Sequence, residues 1–386
     1  MELSSLLNSV IHGVWYYVVI FLLILTIVVF IHEMGHFLVA RWNGIKVDVF
    51  SIGFGPEVWG WTDVKTGTRW RISLIPLGGY VKFFGDADAS STTSDERVMS
   101  DEEKAVAFQH KRVGQRAAVV FAGPAANFVF AILGLAGMFM VLGQPVTEPV
   151  IGSVHSGTAA ETAGLKAGDR IIAINGRAVV RFQDIQRIVR LEIERPLELS
   201  IQRGDETLAI SAQPRVIQRK GVLGDMEKVP VLGITANQAS TRIITHGPGS
   251  ALVEALRETE GMIRSTFIGI GQMVNGTRDT DELGGPIRIA KGAAEAAQVG
   301  LSSVVFYTIL LSLNLGLINL FPIPVLDGGH LLFYAFEALL GRPLGERAQE
   351  YGFRVGLFLV LALMVFATRN DIVALPVWEV VKQLFS

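Results

Sequence analysis

Residues Trp15–Ile31 read WYYVVIFLLILTIVVFI, and the apolar pattern resumes at Phe37–Ala40 until Arg41 stops it. Thr26 is the only clearly polar side chain in the first stretch. An apolar run of this length is expected to be a membrane-spanning helix. His32, Glu33 and His36 are set into it as the string HEMGH. Ionisable groups are costly at that depth, so they mark a functional site by default. On a helix, positions 32 and 36 stack on one face. That spacing lets two imidazoles bind one zinc ion, with Glu33 beside them as general base.

The 386 residues are 50% hydrophobic and carry a formal charge of -2. Their mean hydropathy is +0.43. Such a composition points to an integral membrane protein with one soluble portion. The neutral balance gives no reason to expect a nucleic-acid partner. Cysteine is absent, which excludes disulfides, thiolate ligands and a cysteine nucleophile. Any metal is therefore held by His, Asp, Glu or Asn. The N-terminal run lacks a basic region before Arg41 and is too long for the apolar part of a cleaved secretory signal.

The first span, residues 1–40, is followed by a polar segment, 41–116. Its Arg41, Lys46, Lys65, Arg69, Arg71, Lys82, Lys111, Arg112 and Arg116 favour the cytoplasm. Alternating apolar and polar residues around a Lys-Thr-Gly turn predict one or two β-hairpins. Their aromatic content suggests that they lean on the bilayer. The acidic, Ser/Thr-rich stretch from Asp86 to Lys104 is expected to be a loop. Residues 117–142 form a second span, interrupted by Gly123, Pro124 and Asn127. Asn127 either bonds a neighbouring carbonyl of a kinked helix or faces the active-site cavity.

Residues 143–230 are soluble in character, and VIGSVHSGTAAETAGLKAGDRIIAINGRAV resembles the core of a PDZ domain. Such domains add an extended peptide to a sheet edge. The peptide groove is expected around Ala163, Gly164 and Leu165. Residues 231–300 come next as an amphipathic region. Residues 301–320 are a third span, which breaks at FPIPVLDGGH because Pro322, Pro324, Gly328 and Gly329 exclude a continuous helix. Residues 321–352 are a cytoplasmic segment holding that loop, and 353–386 are a fourth span with a short tail. The fold class expected is an α-helical polytopic membrane protein with four transmembrane helices, membrane-associated β-hairpins and an inserted α+β PDZ domain. Alternating topology puts the PDZ domain and both termini outside, in the periplasm of a Gram-negative cell.

A catalytic zinc needs a third protein ligand and an open position. His12, His110, His155, His246 and His330 offer no second pair with ligand spacing. Asp327 is the acidic candidate, because the Pro/Gly-broken backbone around it can aim a side chain into a cavity. At 1.5 Å rise per residue His32 is only about 13 Å from Arg41, so the site lies toward the cytoplasmic face. Asp327, just beyond the inner end of the third span, has matching depth.

HEMGH, GFGP, PLGGYVKFFGD, GPAAN, the PDZ core, GPIRIAK and NLFPIPVLDGGH together resemble the site-2 protease family of intramembrane metalloproteases. The likeness covers nearly the whole chain and is nearest to the regulator-of-sigma-E protease branch. The resemblance implies a Zn2+ cofactor, His32, His36 and Asp327 as ligands, Glu33 as general base, and Asn319 and Asn127 as residues that handle substrate. It also implies a bacterial inner-membrane enzyme that cleaves single-span membrane proteins, such as anti-sigma factors, and remnant signal peptides. A peptide or protein ligand of the PDZ domain and the lipid bilayer are the remaining partners it implies. Some members carry two tandem PDZ domains, whereas one core is visible here, and Gly157-Thr158 stands where relatives often have Ser-Pro.

Overall fold

The computed structural model describes residues 2–86, 99–192, 195–220 and 226–374. Its helices are α1 (Glu2–Trp42), α2 (Asp101–Val106), α3 (Val113–Val141), α4 (Ala159–Thr162), α5 (Phe182–Leu191), α6 (Pro248–Val274), α7 (Pro286–Val299), α8 (Leu301–Asn319), α9 (Asp327–Leu340) and α10 (Glu346–Ala374). Its strands are β1 (Val47–Thr62), β2 (Arg69–Phe83), β3 (Gln144–Thr147), β4 (Ile151–Val154), β5 (Arg170–Ile174), β6 (Arg177–Ala178), β7 (Leu197–Arg203), β8 (Glu206–Ala212), β9 (Arg215–Lys220), β10 (Met226–Val231), β11 (Ile234–Ala236) and β12 (Thr241–Ile244). The chain divides into two units, Met1–Gly134 with Gly285–Arg369, and Leu135–Gly284 with Asn370–Ser386.

Among the described residues, four helical stretches, lying wholly or mostly in the first unit, are long and apolar enough to cross a membrane: Tyr17–Trp42, Val113–Val141, Leu301–Asn319 and Arg347–Ala374. They match the four expected spans, the last being longer than the sequence pattern suggests. On α1, Ile24 and Val28 are buried while Val19, Leu23 and Ile27 stay exposed. One apolar face thus packs on protein and another is left exposed. Gly35 lets α1 approach α3 closely, since a Cβ there would overlap the Ala122 carbonyl and stand 2.7 Å from the Ala126 methyl.

Between α1 and α3 the expected hairpins are a single two-stranded sheet in which both strands double back. Residues 49–52 pair with 79–82 on one side and with 69–72 on the other, while 57–62 also pair with 69–73. The long strands therefore act as four short rungs, with 57–62 and 79–83 at the two edges. Gly53 and Gly55 supply the bend in β1, with φ of 88° and 86° that side chains rarely adopt. Phe50, Val81 and Phe83 pack with Ala40, Val119, Val120 and Tyr334 in one buried cluster. Farther along the sheet Trp59, Leu74 and Leu77 are exposed.

Two expectations for this unit need correction. The acidic segment is not all loop: Ser100 and Glu103 form a reciprocal capping box, and the chain enters α2 there. The portion 87–98 lies outside the described residues. LDGGH is not a loop either, because Asp327 opens α9. The prolines end α8, and Gly328 and Gly329 then admit carbonyls of Leu320 and Ile323 that a side chain would exclude.

In the second unit a four-stranded sheet runs β6-β5-β7-β8, and β11 and β12 pair with β4 and β3. Ile171, Ile174, Leu197, Leu199 and Ile201 build its core against Phe182, Ile185 and Val189 of α5. The expected boundary at 230 falls too early. Leu232 belongs to this core and Ile234 pairs with Val154. Ile243 and Ile244, expected to begin an amphipathic helix, are instead strand residues on Pro145 and Gln144, and the helix α6 starts at Pro248. The C-terminal tail, from residue 375, lies outside the described residues.

Candidate metal centre

The helical repeat of α1 brings His32 and His36 onto one face, with Nε2 atoms 3.3 Å apart and rings at 88° to each other. The two imidazoles are held from behind by different groups. His36 donates its Nδ1–H to the Val119 carbonyl at 2.9 Å. Pro124 lies inside α3. Having no N–H for the Val120 carbonyl, it loosens the turn that Val119 belongs to. With its proton on Nδ1, His36 presents a bare Nε2 lone pair forward.

Asp327, the first residue of α9, brings Oδ2 to 3.1 Å from His32 Nε2 and 3.5 Å from His36 Nε2. This oxygen is buried and makes no hydrogen bond of acceptable geometry. Three ligand atoms thus converge within reach of one ion, and one of them has no other partner. Zinc–nitrogen and zinc–oxygen bonds of about 2.0–2.2 Å in a tetrahedron require ligand atoms about 3.3–3.5 Å apart. The observed triangle has edges of 3.1, 3.3 and 3.5 Å. Two neutral imidazoles and one carboxylate fit zinc, and they leave a fourth position open. Val325, two residues before Asp327, has φ 116°. A β-branched residue is strained there, and such strain gathers where structure is held for function.

Glu33 is buried beside the pair. The edge strand of β2 lies against it, because a Cβ on Gly79 would stand 3.0 Å from Glu33 Cγ and 2.9 Å from Val29 Cγ1. Asn319, the last residue of α8, puts its amide 3.4 Å from His32 Nε2, on the ligand side of the ring. Asn127 is on the other side: its amide meets His32 Nδ1 at 3.1 Å and is fully buried. The family resemblance implies a substrate role for both asparagines; the structure puts Asn319 at Nε2 of His32 and Asn127 at Nδ1. Ser312, buried and 3.2 Å from Asn127 Oδ1, carries no signal in the sequence. Gly123 does more than loosen α3, since a Cβ there would crowd both imidazoles. His330 stays outside the triangle, and burial holds its imidazole below the ordinary value.

In the second unit, Ala163, Gly164 and Leu165 are not among the residues that border the cavity beside α5. Leu165 is core, and the Gly164 carbonyl accepts from Arg203 at 2.8 Å. These residues form the tight turn after α4, with Gly164 at φ 77°. The cavity lies elsewhere, bordered by Phe182, Ile185 and Val189 of α5 and by Val231, Gly233 and Ile234.

A family model, that of Peptidase family M50, matches residues 20–363. The chain belongs to this family, the site-2 proteases. A protein of Agrobacterium fabrum, provisionally designated a zinc metalloprotease, is 47% identical over 363 residues, spanning 93% of this chain and 96% of its own. The metalloprotease MmpA of Caulobacter vibrioides is 36% identical over 389 residues, spanning 95% of this chain and 97% of its own. Among solved structures, the PDZ domain of an SdrC-like protein from Listeria monocytogenes matches 23% of this chain and 87% of that one, at 23% identity and a TM-score of 0.20. This M50 peptidase is a membrane protein and a zinc metalloprotease.

Proposed function

We propose that this M50 peptidase hydrolyses peptide bonds within the transmembrane segments of single-span membrane proteins, as the regulator-of-sigma-E protease branch does. Anti-sigma factors and remnant signal peptides are the substrates, cut in the bacterial inner membrane after an outer domain has been removed. The observation that carries the reading is the His32–His36–Asp327 triangle, whose two histidines stand on a helix long and apolar enough to span the bilayer and whose aspartate opens α9.

His32, His36 and Asp327 hold the metal. A zinc ion there supplies Lewis acidity toward the attacking water and the scissile carbonyl. Glu33 takes the proton of that water and returns it to the leaving amine, which keeps the net charge of the site constant through the step. The Asn319 amide, on the ligand side of His32, donates to the carbonyl oxygen as negative charge grows on it. A helical substrate hides its carbonyls in its own hydrogen bonds, so it is unwound before attack. The outer edge of β2 near Gly79, next to Glu33, offers a sheet edge to which the unwound segment adds.

The second unit, on the periplasmic side with both termini, takes an extended peptide in the cavity between α5 and β11. Its apolar walls at Phe182, Ile185, Val189 and Ile234 favour apolar side chains.

Glu33→Gln tests the assignment. The purified variant is expected to keep its zinc and to lose cleavage of a membrane-embedded single-span substrate. Retained cleavage would remove Glu33 from its role. Equal cleavage of soluble peptides by the unaltered enzyme would overturn the intramembrane reading.

A further inference from the structure

We propose that Asn127 and Ser312 are positioning residues that hold His32 in the tautomer needed for metal binding, with the Asn127 amide oxygen, not its nitrogen, turned toward His32. This rests on the ligand assignment above.

The Nε2 atom of His32 is the one that faces His36 and Asp327. Ligation through Nε2 requires its lone pair, so the ring proton must be on Nδ1. His32 Nδ1–H then needs an acceptor, and among the described residues the group that meets it is the Asn127 amide at 3.1 Å. The two ends of an amide have the same shape, so their identity is set by the hydrogen-bond network. An NH2 group facing Nδ1–H would set two donors against each other. With the oxygen turned inward, Nδ1–H donates to Asn127.

The consequence runs one residue further. The outer end of the amide, 3.2 Å from Ser312 Oγ, becomes NH2 and donates to that oxygen. The Ser312 hydroxyl proton is then free for the main-chain carbonyl of Asn127, 3.3 Å away. Donors and acceptors alternate along the whole relay. Both Asn127 and Ser312 are fully buried, so no solvent water replaces a missing member. Gly316, one turn beyond Ser312, lets α8 close on α3, since a Cβ there would stand 3.1 Å from Asn127 Cβ. His36 needs no such relay because a main-chain carbonyl is an acceptor in every orientation.

The test measures zinc affinity of the full-length protein in detergent by chelator competition, together with the visible spectrum of its Co2+-loaded form. Asn127→Leu removes the acceptor and is expected to weaken zinc about ten- to a hundredfold, the usual cost of losing a group behind a metal ligand. Asn127→Asp keeps an oxygen toward Nδ1–H and another toward the Ser312 hydroxyl. It is expected to bind zinc within about threefold of the unaltered protein and to keep its tetrahedral Co2+ bands. A weakening by Asp as large as by Leu would overturn the proposal, as would full affinity in Asn127→Leu. If Asn127→Leu does not fold, Ser312→Ala decides with Asn127→Asp: freeing the amide to turn is expected to weaken zinc several-fold, and no change would overturn the relay. Unaltered protein that fails to bind zinc would instead sink the ligand assignment.

Discussion

Gly123 of α3 and His36 of α1 meet so closely that no side chain fits between them: a Cβ at position 123 would stand 2.5 Å from His36 Cε1 and 2.9 Å from His32 Cε1. Cβ contacts of that length do not occur, so a methyl group there must displace an imidazole or part the two helices. Gly123→Ala is expected to leave the protein in the membrane while lowering its zinc content below half occupancy at a chelator concentration that leaves the unaltered enzyme loaded. Metal analysis of the purified variant checks this. Full zinc content would show that α3 yields without cost.

Gly79 plays the matching part beside the acidic group. Its absent side chain lets the β2 edge lie on α1, and a Cβ would stand 2.8 Å from the Ser51 carbonyl and 3.0 Å from Glu33 Cγ. Gly79→Ala is expected to cut the cleavage rate at least about tenfold by shifting either the strand or Glu33, since sub-ångström placement governs such steps. Zinc content should not change. Activity within twofold of normal would separate the strand edge from catalysis, and lost zinc would place the damage at the ligands instead.

Features set by local spacing are legible in the sequence. His32 and His36 share a face because the helical repeat demands it, and the four apolar runs are long enough to read directly. Asp327 is reachable because prolines and glycines break the chain where its depth matches. Less legible are features that exist only once helices meet. Ser312 looks like an ordinary small polar residue of a span until Asn127 is placed against it. The glycine-bearing turn at Ala163–Leu165 suggests backbone amides for a peptide groove, whereas the walls of the cavity in the second unit come from α5 and a segment some fifty residues later. Period-2 alternation predicts hairpins between residues 41 and 116, but not that both strands fold back and pair twice.

Arg116 and Glu337 form a largely buried ion pair at 2.6 Å, with side chains 11% and 13% exposed. Arg116 also stands over the Tyr334 ring at 4.9 Å. A cation in the first turn of α3 is unfavourable toward that helix's dipole, so removing Glu337 leaves a charge with less support than before. Glu337→Leu is expected to cost about 3 kcal/mol, the usual effect of orphaning a buried charge. Arg116→Met together with Glu337→Leu should recover most of it, because two apolar groups need no partner. Thermal unfolding in detergent measures both. A double variant no more stable than the single one would show that the pair is net stabilising in its own right.

Asp169, 1% exposed, accepts from Arg203 Nε and Nη2 and from the Lys166 amide, each at 2.8 Å. Burial alone raises the pKa of its carboxyl, but the Arg203 hydrogen bonds and the Lys166 amide more than offset this and hold it below the usual carboxylate range. The folded chain therefore binds this proton less readily than the unfolded chain does. The pair's contribution is present in full above the unfolded-state pKa of about 3.9. It is lost as the pH falls through the lower folded value. Arg203→Met is expected to reduce stability of the second unit by about 2–3 kcal/mol at pH 7, the lower end for a buried pair because Arg203 is partly exposed. Between pH 5 and pH 3 the unaltered protein should lose stability more steeply than the variant, whose Asp169 no longer prefers the charged form. Calorimetric unfolding of the full-length protein across that range checks the sign. Parallel pH profiles for the two proteins would show that other carboxylates govern the acid transition of this unit.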